Sequence, residues 1–371
     1  MTGLGEVTTP AVAEQQQPAL ECTALCVRHG GAAVLQELDL RVARGQVLAV
    51  LGPSGTGKTS LLYAVAGFVQ PSAGEIRLRG GLVADGRHGV PPEQRSVGVL
   101  FQGYALWPHL TAVETVAYPI RRRGVAARRA HRQAAELLDR LDVGHLADRA
   151  PDAMSGGEQQ RVALARALAR DAALYLFDEP TAHLDAPLRA RVLEEVDERR
   201  RAMGAAAVYA THDAAEALAV ADRVAVLRGG RVVQAGAPLD VYAEPVDRWV
   251  AELSGPASAL ATALHDLDPR AGTVTLQIGT ARVTVRGGAA AGAGASVGGD
   301  RVVQVLVRPD WARLGGELPA TVRRTRFSGP HTDYHLATPA GQVVVRAAGP
   351  PRLAEGARTS WTLQRAWVLG A

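Results

Sequence analysis

Hydrophobic positions follow two rhythms along this chain. Up to about residue 245 they gather in short continuous runs separated by stretches of helical spacing. Val47-Leu48-Ala49-Val50-Leu51, Leu174-Tyr175-Leu176-Phe177, Ala206 to Ala210 and Val224-Ala225-Val226-Leu227 are four such runs. Apolar on both faces, they suit strands of a parallel sheet covered by helices. Thr59 to Phe68 reads as a helix after the first run. Leu188, Val192, Leu193 and Val196 recur at helical spacing before Gly204, a C-terminal stop signal. From about Gly103 to Arg170 the pattern is mostly helical, as in an insertion on the strand–helix core. The alternation predicts an α/β fold.

The rhythm changes near Pro245. From Thr273 onward the period is two: Val274, Leu276 and Ile278 alternate with Thr275 and Gln277, and Gly279-Thr280 turns the chain towards Val283 and Val285. Val302 to Val307, Thr321 to Phe327, Gln342 to Arg346 and Thr359 to Leu363 are further strand candidates. They predict a small β-barrel or sandwich. Gly287 to Ser296, almost all Gly and Ala, reads as a flexible low-complexity loop. Three regions follow: a flexible polar tail over 1–18, an α/β domain over 19–245 with its helical insertion at about 103–170, and an all-β domain over 246–371.

Composition narrows the function classes. Of 371 residues, 47% are hydrophobic and 21% charged, enough for a core in each domain. A net charge of +4 and only 4% aromatic residues give no basis for a nucleic-acid surface. The first 18 residues lack the basic start and apolar run of a signal peptide, and no window approaches 18 uninterrupted apolar residues. Any work at a membrane therefore needs other chains to form the pore. Cys22 and Cys26 read as buried reduced thiols; with His29 they are too few for a closed zinc site.

One residue stands out against this composition. Lys58 is the chain's single lysine among 41 basic residues. It lies in Gly52-Pro53-Ser54-Gly55-Thr56-Gly57-Lys58-Thr59, followed by Ser60, which matches the phosphate-cradling P-loop. A compact ammonium on a flexible stem differs from a planar guanidinium, and here the chain keeps the ammonium. The glycines let backbone N–H groups turn onto phosphates, and the helix behind adds its positive end. Lys58 would bridge the β- and γ-phosphates and Thr59 would give its hydroxyl oxygen to Mg²⁺. The pattern points to a nucleoside triphosphate. A second element, Leu174 to Glu179, is an apolar strand ending in paired acids: Asp178 suits Mg²⁺ through water, and Glu179 suits the base that polarises attacking water.

Met154-Ser155-Gly156-Gly157-Glu158-Gln159-Gln160-Arg161 resembles the signature motif of ATP-binding cassette (ABC) ATPases. That family's remaining motifs are matched in order. Gln102 in Phe101-Gln102-Gly103-Tyr104 resembles the Q-loop, which also faces the metal. Ala182-His183-Leu184-Asp185 resembles the D-loop, and His212 in Ala210-Thr211-His212-Asp213 the switch histidine. The resemblance implies a P-loop ATPase core and a homodimer in which Ser155, Gly156 and Gly157 of one chain close over ATP held by the other. Asp185 would couple the two sites, and His212 would hold the γ-phosphate and water in line. Glu158 stands where Gln is usual, and His29 where an adenine-stacking aromatic is expected.

Tyr104-Ala105-Leu106-Trp107-Pro108-His109-Leu110-Thr111 resembles the importer ATPases for sugars, polyamines and ferric iron. These carry a C-terminal transport-associated OB (TOBE) domain, and Val307-Arg308-Pro309-Asp310-Trp311 resembles one of its elements. The resemblance implies a subunit on the cytoplasmic face of the cell membrane. Its partners would be membrane permease subunits, met through Trp107, Pro108 and Leu110, and, indirectly, an extracytoplasmic solute-binding protein. Ferric iron or a polyamine is the expected cargo. Arg121-Arg122-Arg123 and Arg128-Arg129 read as a solvated basic face. An exporter ATPase and a soluble ABC protein remain as alternatives. The β-domain argues against the first. A single cassette without long coiled-coil insertions argues against the second.

Overall fold

The computed structural model describes residues 17–182, 184–291 and 301–370. Most of the expected N-terminal tail, His183 and the later part of the Gly/Ala stretch lie outside the described residues. The chain divides into two compact units at 235/236.

In the first unit the chain runs β1 (Leu20–His29), β2 (Ala32–Val42), β3 (Val47–Leu51), α1 (Lys58–Ala66), β4 (Ala73–Leu78), β5 (Gly81–Ala84) and β6 (Val97–Leu100). It continues with α2 (Ala112–Arg122), α3 (Ala127–Arg140), α4 (Gly156–Leu168), β7 (Leu174–Asp178), α5 (Ala186–Ala202), β8 (Ala206–Thr211), α6 (Ala214–Val220), β9 (Arg223–Arg228) and β10 (Arg231–Gly236). The four continuous apolar runs become β3, β7, β8 and β9. They lie side by side in a six-stranded sheet of order β10-β9-β3-β8-β7-β6. Each neighbouring pair from β9 to β6 is parallel, and every residue of β3, β7 and β8 is buried. Burial on both faces is the physical reason these strands lack alternation. The expected helical insertion corresponds to α2, α3 and α4.

A second, four-stranded antiparallel sheet, β2-β1-β4-β5, was not anticipated from the apolar rhythm. Its strands share a core with the parallel sheet through Leu20, Leu25, Leu38 and Val42 against Leu48, Val50 and Leu61. The alternation in β1 is broken by register shifts between Cys22 and Leu25 and between Leu25 and Val27. A bulge re-aims the following side chains and hides a strand from a period-two reading. Cys22 is buried and Cys26 half-buried, both with free thiols. Burial pushes the Cys22 thiol up to about 12.

The second unit opens with α7 (Pro238–Ala243) and α8 (Arg248–Ser254). Five strands then close a barrel, β11 (Ser258–Asp268), β12 (Thr273–Ile278), β13 (Ala281–Ala289), β19 (Arg365–Val368) and β14 (Arg301–Val307). A four-stranded sheet, β17-β16-β15-β18, is formed by Gly341–Ala348, His331–Thr338, Ala312–Phe327 and Arg358–Leu363. Closure removes sheet edges, as in OB-type barrels. The expected hairpin at Gly279-Thr280 is present, with Ile278 opposite Ala281.

The expected flexible loop at Gly287 needs correction. Gly287, Gly288 and Ala289 pair in parallel with Ala366, Trp367 and Val368. A Cβ on Gly287 would lie 2.0 Å from the Ala366 carbonyl oxygen, so glycine here permits close strand approach. The unit boundary also precedes the change of rhythm at Pro245, because α7 and α8 belong with the barrel. Arg308 holds them there. Fully buried, it donates to the carbonyls of Tyr242, Ala251, Gly255 and Pro256 and to Ser254 Oγ at 2.7–3.1 Å. Burial pushes its guanidinium down to about 10. The Val307–Trp311 element is therefore a structural strap inside this unit.

Candidate nucleotide site at the carboxyl edge of the parallel sheet

In open parallel sheets, ligands bind beyond the carboxyl ends of the strands. Four loops carrying the candidate chemistry leave from this edge. The P-loop follows β3, Gln102 follows β6, Glu179 follows β7 and His212 follows β8. Strand register sets their heights: Leu51 is level with Thr211, and Asp178 with Ala210. Two backbone bonds continue the alignment, Gly52 N to Thr211 O at 3.4 Å and Glu179 N to Ala210 O at 2.9 Å.

The P-loop closes on α1, whose N-cap is Gly57 at φ +102°. A Cβ there would meet Leu35 Cδ2 at 2.7 Å and Val34 O at 3.0 Å, so glycine is required by both conformation and space. These contacts bring the β1–β2 hairpin against the loop, and His29 stands exposed at the end of β1, paired with Ala32 across the turn. Lys58, Thr59 and Ser60 form the first turn of α1, where free N–H groups and the helix dipole favour an anion. The buried Lys58 ammonium donates to Gly52 O at 2.6 Å and Pro53 O at 2.9 Å. Burial lowers its pKa, partly offset by the Glu179 and Asp178 carboxylates.

Asp178 is 3% exposed, and its Oδ2 has no hydrogen-bond partner. Burial raises its pKa, while a hydrogen bond from Thr59 opposes the rise. An orphaned buried carboxylate oxygen beside a threonine hydroxyl fits a hard cation that keeps most of its ligands as water and phosphate oxygen. Among the described residues no group of three or more His, Cys, Asp or Glu side chains could cage a metal alone. Gln102, the third expected metal-facing residue, lies exposed in the turn after β6.

Glu179 has φ +51°, a left-handed conformation uncommon outside glycine. Its Oε1 lies 2.8 Å from His212 Nδ1. The two residues expected to handle water and the γ-phosphate are thus brought together from adjacent strand ends. The Glu179 carbonyl accepts from the buried Gln160 side chain of α4 at 3.1 Å.

Ser155 is the N-cap of α4, and Glu158 completes a capping box. Ser155 N and Oγ donate to Glu158 Oε2 at 2.7 and 2.8 Å, and Glu158 N donates to Ser155 Oγ at 3.4 Å. The acid that replaces the usual Gln therefore has a local task, and the Ser155 N–H and hydroxyl hold its pKa down. Ser155 and Gly156 are exposed. Asp185 also has a local task, capping α5 by accepting from Leu188 N at 2.9 Å.

A groove of about 930 Å³ opens beside the Q-loop, lined by Phe68, Phe101, Trp107, Tyr118, Arg122 and Arg166 among others. Of the three residues expected at a permease contact, Trp107 lines it; Pro108 and Leu110 do not. Tyr104 and Ala105, at φ +59° and +50°, are held by the buried Arg166 of α4, which donates to both carbonyls. The expected basic run stays exposed, with Arg123 paired to Asp171.

Sequence reasoning missed Gln160, Thr181, Thr211 and Glu216. A visible signal existed: Glu216 is an isolated acid in the apolar stretch Ala214-Ala215-Glu216-Ala217-Leu218-Ala219-Val220.

This set of strand-end motifs defines an ABC-type P-loop ATPase. An ABC transporter family model matches residues 35–182, and a TOBE domain model matches residues 305–369. The Fe(3+) ions import ATP-binding protein FbpC 1 of Rhizobium meliloti is 36% identical, over 86% of this chain and 88% of its own length. The spermidine/putrescine import ATP-binding protein PotA of Frankia alni is 36% identical, over 90% and 75%. The sulfate/thiosulfate import ATP-binding protein CysA 2 of Chromobacterium violaceum is 38% identical, over 85% and 83%. Among solved structures, the ATP-binding cassette MJ0796, in a dimeric post-hydrolysis state bound to ADP and Pi, superposes with a TM-score of 0.55 at 26% identity. That match covers 59% of this chain and 98% of that one. The chain belongs to the ATP-binding subunits of ABC transporters, with a C-terminal TOBE domain, and is an ATPase.

The P-loop pocket yields one expected result. Lys58→Arg should weaken ATP binding about 10- to 100-fold, the scale of one lost charge-assisted hydrogen bond. The pocket is fitted to a point charge between two carbonyls, and a planar guanidinium cannot take that place. Nucleotide titration beside thermal unfolding tests this; unchanged affinity in a folded variant refutes it.

Proposed function

We propose that this chain is the ATP-hydrolysing subunit of an ABC importer. It would act as a homodimer on the cytoplasmic face of the membrane, bound to permease subunits that receive solute from an extracytoplasmic binding protein. The observation that carries the reading is one chain holding both a complete set of strand-end ATPase motifs and a TOBE-matching β-unit. The import names of the relatives support it. Among the described residues no helix is long and apolar enough to cross a membrane, so the solute path would belong to partner chains. The groove beside the Q-loop offers exposed aromatic faces, Phe68 and Tyr118 at 51% and 48%, to a permease helix.

The chain's own groups divide the work. The P-loop N–H groups and Lys58 bind and orient the ATP phosphates. Mg²⁺, held by Thr59, Asp178 and Gln102, would supply charge neutralisation on the phosphate oxygens. Glu179 takes a proton from water, and His212 keeps that carboxylate aimed. Ser155, Gly156 and Gly157 of a second copy would complete the phosphate shell. His29 would pack on adenine.

Cargo is selected by the binding protein and permease cavity. Ferric iron or a polyamine fits the wording around Trp107 and two of the relatives. Proteoliposomes carrying the complete complex test the reading. Solute should enter only with ATP on this subunit's side and binding protein on the other. Uptake independent of the binding protein, or ATP-driven efflux, contradicts it.

A further inference from the structure

Glu179 and His212 follow adjacent strands, which are joined by a backbone bond from Glu179 N to Ala210 O. The Glu179 and His212 side chains meet within hydrogen-bond range. A buried acid joins the same two segments. Glu216, only 8% exposed, accepts from Thr181 Oγ1 at 2.6 Å and from Thr211 Oγ1 at 2.8 Å. Thr181 is two residues beyond Glu179, and Thr211 is the residue before His212.

We infer that Glu216 is a positioning residue for hydrolysis, whose carboxylate clamps the two loops carrying Glu179 and His212. The inference rests on those two residues forming the hydrolytic pair. Hydroxyl-to-carboxylate bonds are charge-assisted and directional, so they fix distance more firmly than neutral bonds. Burying a carboxylate is costly unless it is well bonded, and here one oxygen accepts from Thr181, beyond β7, and the other from Thr211, at the end of β8.

The clamp reaches the backbone on the histidine side. Thr211 Oγ1 donates to Glu216 and also accepts from Asp213 N at 3.0 Å. That second bond closes a small turn around His212 itself. Asp213 in turn caps the helix bearing Glu216, accepting from Ala215 N at 2.8 Å and Glu216 N at 3.2 Å. On the glutamate side, Thr181 anchors the segment that leaves the left-handed residue Glu179. Such a backbone conformation persists where its surroundings over-determine it.

The test uses the full chain with Glu216→Ala, Glu216→Gln and Thr181→Val, each measured for kcat, KM, equilibrium ATP affinity and thermal unfolding. Glu216→Ala should lower kcat about 10- to 100-fold, the cost of misplacing a reacting group by about an ångström. ATP affinity should stay at the wild-type level, since Glu216 makes no bond to the P-loop residues. Glu216→Gln and Thr181→Val should show the same split with smaller losses, and they carry the test if the Ala variant fails to fold. The double variant Glu216→Ala/Thr181→Val should turn over no more slowly than Glu216→Ala alone, because both changes open one clamp. Wild-type kcat in folded Glu216 variants overturns the inference. So do parallel losses of kcat and affinity, or losses that multiply in the double variant. Glu179→Gln, run alongside, tests the hydrolytic pair separately: if it keeps turnover, the pair assignment fails whatever the Glu216 variants do.

Discussion

Glu179→Gln should bind MgATP normally and lose hydrolysis by on the order of 10² to 10⁴-fold, the range for removing a general base. The substitution keeps size and one acceptor oxygen and removes the proton-accepting charge. It leaves the neighbouring groups in place: Glu179 N still bonds Ala210 O, and the Gln160 side chain still bonds the Glu179 carbonyl. Binding should survive because the groups proposed to face the phosphates, Lys58, Thr59 and the first turn of α1, follow a different strand, β3. A variant that binds but does not hydrolyse should also accumulate as a closed dimer with ATP. Single-turnover kinetics and nucleotide titration on one preparation test both halves of this expectation. Near-normal turnover would remove Glu179 from the role, and lost binding would mean that its carboxylate serves the fold of the site.

Much of this site is legible in the sequence because its parts are short, local and chemically specific. Lys58 stands out as the single lysine, and the two acids after Leu174-Tyr175-Leu176-Phe177 end a run that is buried throughout. Strands buried on both faces announce themselves as continuous apolar runs, so β3, β7, β8 and β9 were readable with small errors at their ends. The antiparallel sheet was not, because its bulges break the alternation in β1. In the second unit, β11 escaped for a different reason. Ser258-Ala259-Leu260-Ala261-Thr262-Ala263-Leu264 is rich in Ala and Leu, which favour helix, and barrel closure overrides that preference.

What stayed hidden in the site is long-range bonding between ordinary residues. Glu216 and Thr181 are 35 positions apart, and nothing in either segment alone indicates that they meet. The same holds for Gln160 and the Glu179 carbonyl, 19 positions apart. Glu158 illustrates the reverse case. It departs from the family pattern, where Gln is usual, and the capping box gives it a local reason.

The central claim is that hydrolysis requires two chains, the signature of one completing the P-loop site of the other. Gly156 is well suited to test it. It is exposed at the first position of α4, and a Cβ there would meet no atom within 4 Å, so Gly156→Asp should leave the isolated chain folded. Aspartate is also favourable in a helix's first turn. Facing the γ-phosphate of a second copy, the same carboxylate would repel it. Lys58→Ala damages the complementary half. The decisive measurement is ATP hydrolysis by Gly156→Asp and Lys58→Ala chains, each alone and mixed in varying ratio. Mixed dimers would contain one doubly damaged site and one intact site. Activity should therefore rise above that of either variant alone and peak near equal proportions. Activity that only averages the two variants at every ratio, with a rate per chain independent of protein concentration, would contradict the shared site.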